Sequence, residues 1–439
     1  MTMSQFCVKI RDVEVNLMNK RIYLDNAATT PVDPAVFEAI KPYFGEKFGN
    51  ASSLHQFGQD AQQGVVVARQ NVADFLGCEP KEIIFNSGAT EGNNTIIKGF
   101  GLSKKLAGQF GGQAELGQSR AERGGKIHII TTAIEHECVL EPVKFLVKEG
   151  YIEATFLPVN REGIVSAQEV EKAIKPNTVL VSVMYANNEV GTIQPIAEIG
   201  QLLKKINQSR ANKIYFHTDA AQAANYLDCK VDNLGVDFLT LSAHKFYGPK
   251  GIGVLYIRPG SFFTKYFHGG EQEFRMRAGT HNTPGIVGLG AAIEKIKNQK
   301  SKIKIIEDLR NKLIDGVLKN IQGSALNGSR EHRLPNNANF RFERAEGEAI
   351  LIALDLEGIA VSTGSACASK SLEPSHVLMA MGFEFLEAHS AVRFSLGRFT
   401  EEKDIDKVLS VLPKIVERLR GITGGAAERK EKLLKDLGC

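Results

Sequence analysis

The segment FLTLSAHKFYGPKG, residues 238–251, sets Lys245 after a short apolar run and beside His244, with a Gly/Pro turn behind it. A lysine amine attacks a carbonyl only when it has lost its proton, and a dry strand end favours that form, so the setting suits a Schiff base. Taken alone, a lysine after a strand is more often a solvated surface residue. Partners stand on either side. The segment KIYFHTDAAQ, 213–222, delivers Asp219 at the end of another apolar run and Gln222 three residues later. A carboxylate there can keep a heteroaromatic nitrogen protonated, so that the ring accepts electrons from an adjacent carbanion; a helix N-cap is the plainer use of the same residue. A third segment, IIFNSGATEGNN at 83–94, runs from a strand through Ser87, Gly88, Ala89 and Thr90 into a helix. Free backbone N–H groups and the helix dipole at such a junction receive a dianionic phosphate, Gly88 permits close approach and Thr90 adds a hydroxyl. The same composition is also ordinary helix capping, so the weight lies in the three segments together, each at a strand end.

Those segments need a scaffold that gathers strand ends. From about residue 83 to 257, the runs EIIFN, KIHIITT, VLVSVMY, KIYFHTDA, DFLTLSA and GVLYIR alternate with stretches of helical period. This is an α/β pattern with a mainly parallel sheet, whose active-site residues belong at the carboxyl ends of the strands. IGVLYI, after GPKG, reads as a hairpin-like or antiparallel addition. Residues 103–126 hold six glycines and little apolar periodicity, and read as an exposed insertion. A long amphipathic stretch spans about 286–321. NNANFRF and GIAVS then read as strands around the helix EGEAILIALDLEG, followed by a helix from Glu401 to Leu419 and a charged tail that could be a loose helix. The expected organisation is a large domain, 33–295, and a smaller α+β domain formed by 18–32 and 296–422, with extensions at 1–17 and 423–439.

A phosphate cradle, a carboxylate and an amine, met in this order along the chain, are what pyridoxal 5'-phosphate (PLP) requires. The sequence resembles a fold-type I PLP enzyme of the class V aminotransferase group, and within it the cysteine desulfurases. The likeness runs from YLDNAATTPVDP through NASSLHQFG, FNSGATEGNN, TAIEHECVL, YANNEVGTIQPI, HTDAAQA, SAHKFYGPKGIG, RAGTHNTPGIVG and GSACASKSLEPSHVL to VRFSLGRFT near residue 400. The resemblance implies that Lys245 carries the cofactor as a Schiff base, that Asp219 pairs with the pyridine nitrogen and that Gln222 meets the phenolic oxygen. It also implies that Ala89, Thr90, Ser242 and His244 hold the phosphate, that His136 stacks on the ring and assists proton transfer, and that Thr280 reaches the phosphate of a neighbouring subunit in a homodimer. Arg393 and Asn188 would bind the carboxylate of the substrate L-cysteine, with Arg398 as a nearby competitor for the same task.

Cys367 decides the implied reaction. It lies in STGSACASKSLEPSHVLMAMG, where small polar residues precede a short helix expected to begin at Pro374 and end at Gly382. A lone cysteine is more often an inert buried residue, but a small polar segment leaves a thiolate accessible. By resemblance, Lys245 removes the Cα proton and Cys367 attacks the substrate sulfur, releasing alanine and keeping a persulfide. The longer serine-containing loop is similar to the branch serving iron–sulfur assembly and tRNA thiolation, so a scaffold protein or other persulfide acceptor is the expected partner. A selenocysteine lyase or a class V aminotransferase shares Lys245 and Asp219, and Cys367 speaks against the latter.

Composition sets the outer bounds. The chain has 439 residues, 43% of them hydrophobic and 24% charged, and a net charge of +4 spread along its length. Those proportions exclude a fibrous or disordered chain and make nucleic acid an unexpected partner. No apolar run is long enough to span a membrane. Six cysteines without a Cys-x-x-Cys pair fit a reducing compartment, and the mixed charges of residues 1–20 fit neither a signal nor a transit peptide, so the cytoplasm is expected. No metal site is expected.

Overall fold

The computed structural model describes residues 21–103, 106, 126–297, 299–363 and 373–436, without the side chains of 300 and 423–436. Cys367, the extension before residue 21, Cys439 and all but the edges of the 103–126 insertion lie outside the described residues.

After β1 (Ile22–Tyr23) the next seven strands build one sheet: β2 (Ile83–Asn86), β3 (Ile127–Thr132), β4 (Ile152–Leu157), β5 (Thr178–Ser182), β6 (Tyr215–Asp219), β7 (Phe238–Ser242) and β8 (Gly253–Ile257). Their order is β2-β8-β7-β6-β5-β3-β4. The five strands from β7 to β4 are parallel. Every residue of β3, β5 and β7 is buried, as strands covered by helices on both faces must be. β8 is antiparallel to β7 and to β2, which bears out the antiparallel reading of IGVLYI but places it inside the sheet.

One face of the sheet is covered by the helices Gln56–Leu76 and Thr283–Ile296. A Cβ on Gly290 would come within 2.5 Å of the Ala68 Cα, so only glycine lets these two backbones approach so closely. The opposite face carries the helices Ala89–Gly101 and Glu137–Lys148 over Ile127, Ile129, Leu180 and Phe238.

The rest of the chain packs around a separate apolar cluster that includes Leu24, Leu313, Phe340, Phe342, Phe394 and Val408. Here β9 (Ser324–Leu326), β10 (Asn337–Phe342) and β12 (Ala391–Ser395) form an antiparallel sheet, and β1 pairs in parallel with β11 (Ile359–Ala360). A bridge between Asp25 and Ser395 ties the start of the chain to β12.

Three expected boundaries move. The stretch at 286–321 is two helices, Thr283–Ile296 and Lys300–Asn320. The last helix runs unbroken over Glu402–Asp436, past Leu419, because Gly421, Gly424 and Gly425 each weaken a helix without removing a backbone donor as proline would. The short helix after Cys367 is His376–Ala380, capped by the Ser375 side chain on Leu378 N–H, so Pro374 precedes it.

Candidate active site

Strand ends of the main sheet and the β1 and β12 regions line a cleft of about 690 Å³, ample for a cofactor with a small substrate. Lys245 stands in a tight turn directly after β7, and its Nζ donates to the carbonyl oxygens of Ala27 and Ala28 at 2.6 and 2.8 Å. The turn behind it is clamped. Tyr247 holds a left-handed φ of 69°, its N–H donates to Thr30 Oγ1 at 2.8 Å, and its hydroxyl accepts the Arg398 N–H at 2.6 Å. The Arg398 guanidinium lies 4.0 Å from the centre of the Tyr247 ring and pairs with Asp33 at 2.5 Å.

Asp219 is the last residue of β6 and almost wholly buried. Its Oδ1 accepts the Ala221 N–H at 2.9 Å and its Oδ2 accepts from Asn93 Nδ2 at 2.6 Å, which fixes the carboxylate in the cleft wall. Gln222 also lines the cleft and donates from Nε2 to the Ala27 oxygen at 2.9 Å.

The end expected to take the phosphate lies at the carboxyl ends of β2 and β7. Gly88 has a φ of 145°, a conformation that side chains disfavour, and a Cβ added to it would stand 3.5 Å from Ser242 Oγ. The helix Ala89–Gly101 starts there with no side-chain cap, so its first N–H groups open toward Thr90, Ser242 and His244 in the same cleft. Burial, helped by Lys245 and Lys250, lowers the pKa of His244 to about 4. Its Nδ1 lies 3.1 Å from Thr29 Oγ1.

His136 follows β3 and caps the helix Glu137–Lys148 through its own ring. Burial pushes its pKa below the usual value despite the raising influence of Asp219. Arg393, in β12, donates to the Asn188 carbonyl at 2.8 Å and to Asp25 Oδ1 at 2.7 Å, and both Arg393 and Asn188 line the cleft. Arg398 does not line it, being committed to Asp33 and Tyr247. Thr280 is exposed and does not line the cleft of its own chain. The segment before it is held by Arg277, whose Nε donates to Glu91 Oε1 at 2.9 Å. Cys367 lies outside the described residues, but Glu373 and Pro374 beyond it line the cleft, and Ser362 before it is bridged to Arg393.

His376 is a cleft residue that the motifs did not single out; its Nε2 is 2.9 Å from the Glu135 carbonyl. The backbone oxygens of Ala27 and Ala28 were equally silent, because main-chain acceptors carry no side-chain signal. Among the described residues no cluster of His, Cys, Asp and Glu could hold a metal ion, and no helix is long and apolar enough to cross a membrane.

An amine beside main-chain acceptors, a buried carboxylate held in orientation, and an uncapped helix start beside a glycine that leaves room for a phosphate all fit PLP. The parallel sheet with this constellation at its strand ends defines a fold-type I PLP-dependent enzyme. A family model described as aminotransferase class-V matches residues 22–110 and 114–408. A cysteine desulfurase IscS of Dictyoglomus turgidum is 48% identical over 409 residues, covering 92% of this chain and 97% of that protein. The cysteine desulfurase IscS of Methanosarcina thermophila is 46% identical over 410 residues, covering 93% and 95%. Among solved structures, a NifS-like protein superposes with a TM-score of 0.79 at 37% identity, covering 90% of this chain and 99% of its own. A structure titled SspA in complex with cysteine gives a TM-score of 0.72 at 37% identity, covering 87% and 100%. The chain belongs to the aminotransferase class-V family and, within it, to the cysteine desulfurases.

Proposed function

We propose that this enzyme takes sulfur from free L-cysteine onto Cys367, releases L-alanine and passes the persulfide to a protein that assembles iron–sulfur clusters. The observation that carries the reading is the convergence of Lys245, just after β7, Asp219, at the end of β6, and Arg393, within β12, on one cleft. The relative titled as bound to cysteine supports the same substrate.

PLP supplies an electron sink conjugated to the Cα of the bound amino acid. Arg393 and the Asn188 amide hold the substrate carboxylate, which orients Cα toward Lys245. Lys245 Nζ takes the Cα proton, and Asp219, its Oδ2 steadied by Asn93, would help hold the cofactor and balance positive charge on its ring. The Cys367 thiolate then attacks the substrate sulfur: an S–S bond forms, the Cβ–S bond breaks, and its electron pair stays with the carbon skeleton, which takes up protons and leaves as alanine. Of the described residues on either side of Cys367, Ser362 is bridged to the cleft residue Arg393 and Glu373 lines the cleft, which supports this role.

A homodimer completes the proposed site, with Thr280 serving the partner's phosphate. Supporting it, Phe44, Phe48, Leu54 and Phe57 are 73, 65, 92 and 53% exposed on one stretch of chain, an apolar surface that asks for cover. We further assign the large domain to 33–295 and the small one to 18–32 with 296–422, supported by their separate apolar clusters, and the cytoplasm as the compartment. tRNA thiolation is a second destination for the persulfide.

The test is Cys367→Ser. The holoenzyme should keep its visible cofactor band and shift it when cysteine is added, yet yield no alanine and no protein persulfide. Parental turnover, with persulfide mapped to another cysteine, would overturn the role of Cys367.

A further inference from the structure

We infer that Asn93 and Cys138 are positioning residues: a buried hydrogen-bonded chain runs from Asp219 through the Asn93 amide and the Cys138 thiol to Nδ1 of His136, and it fixes the ring proton of His136 on Nε2. What the two ends of this chain face rests on the cofactor reading above; the chain itself stands on its own geometry.

Asn93 is fully buried, with Nδ2 at 2.6 Å from Asp219 Oδ2 and 3.0 Å from Cys138 Sγ. The orientation of the amide is forced, since its oxygen turned toward Asp219 would press two acceptors together. With both N–H groups committed, Asn93 Oδ1 is left buried without a partner, a cost the amide bears to keep this orientation. Cys138 receives one of those N–H groups at its sulfur. Burial and the nearby Asp219 raise its pKa far above the usual value, so it stays a thiol with a proton to donate. His136 Nδ1 lies 3.0 Å from that sulfur, whereas Asp219 Oδ2 is 3.9 Å away, so the proton goes to the histidine.

A second donor points at the same nitrogen. The Cys138 backbone N–H, in the first turn of its helix, donates to Nδ1 at 3.1 Å. A backbone N–H can only donate, so Nδ1 must carry a lone pair, and neutral imidazole then keeps its proton on Nε2. Toward the cleft, His136 therefore offers an N–H. It cannot take a proton at Nε2 without moving its own to Nδ1 and giving up both the helix cap and the thiol contact. Uptake of the Cα proton is left to Lys245, and the part of His136 narrows to donating a hydrogen bond from Nε2.

Holoenzyme labelled with 15N-histidine tests this at neutral pH, with the His136 signals assigned by their loss in His136→Phe or, if that variant folds poorly, by their shift in Cys138→Ala. Nδ1 should give the signal of an unprotonated nitrogen and Nε2 that of an N–H. A protonated Nδ1 would overturn the inference. The infrared difference between the parent and Cys138→Ala isolates the Cys138 S–H stretch, which should lie below the position of a solvated thiol and rise in His136→Phe. A band that His136→Phe leaves in place removes the thiol from the chain. Neither readout uses turnover, so failure here leaves the cysteine-to-alanine reading standing, and failure of that reading in the alanine assay leaves this one standing.

Discussion

Lys245 and Asp219 are expected to fail in different ways when replaced. Lys245→Ala should abolish the visible absorbance of lysine-bound cofactor together with all turnover, because among the described residues no other lysine donates to the Ala27 and Ala28 carbonyls; the spectrum decides it. Asp219→Ala should retain cofactor but lose on the order of 10²-fold in turnover, the usual scale for one preorganised electrostatic contact, and near-normal exchange of the Cα proton would count against its role. Glu135 shows a titration of another kind. Its Oε1 accepts from Thr132 and Met184, its Oε2 is buried without a partner, and burial raises its pKa from 4.5 to about 8. The folded protein keeps this proton where the unfolded chain has lost it, so stability should fall as pH rises from about 4.5 to about 8. Glu135→Gln, which keeps the accepting oxygen, should flatten that fall in thermal melts taken across the window.

At the scale of the element, the turn after β7 distinguishes Arg393, which motif position favours, from its neighbour Arg398. Arg398 braces the left-handed Tyr247 from behind, while Arg393 projects from β12 into the cleft. Arg393→Lys should therefore raise the KM for cysteine at least about tenfold, because a point-charge ammonium does not reproduce a forked contact with a carboxylate. Arg398→Ala should leave KM near parental and lower stability by about 3–5 kcal/mol, the range for removing one partner of a buried ion pair; steady-state kinetics beside denaturant melts distinguish the two. The parallel strands and the residues at their ends were legible in sequence because strands buried on both faces show as unbroken apolar runs. β8 read correctly as antiparallel but not as an interior strand, since its neighbour β2 lies far upstream in the chain. The final helix was cut short because glycine is a weak stop signal. His376 and Asn93 escaped notice because nothing local marks a residue whose partners, Glu135 and Asp219, are more than a hundred residues away.

For the whole molecule, the proposed dimer makes a complementation experiment decisive. Subunits carrying Lys245→Ala mixed with subunits carrying Thr280→Ala should regain activity, since each heterodimer holds one site with neither substitution; full activity in a demonstrably monomeric preparation would end the idea. Acid stability is also a property of the whole. Burial lowers His128 and His217 from 6.5 to about 4, so the unfolded chain binds protons that the folded one refuses. Stability should thus drop as pH falls from 6.5 toward 4, and His217→Gln should make that drop shallower in calorimetry. The bridge that joins Asp25 to Ser395, and the ion pair of Asp25 with Arg393, have a consequence in time. Asp25 and Arg393 stand 368 residues apart, so this wall of the cleft closes only when the chain from the last strand has left the ribosome. Until then a nascent chain already carrying Lys245 and Asp219 lacks the Arg393 side of the cleft, so on the proposed roles it should draw no sulfur from cysteine before its last strand is in place.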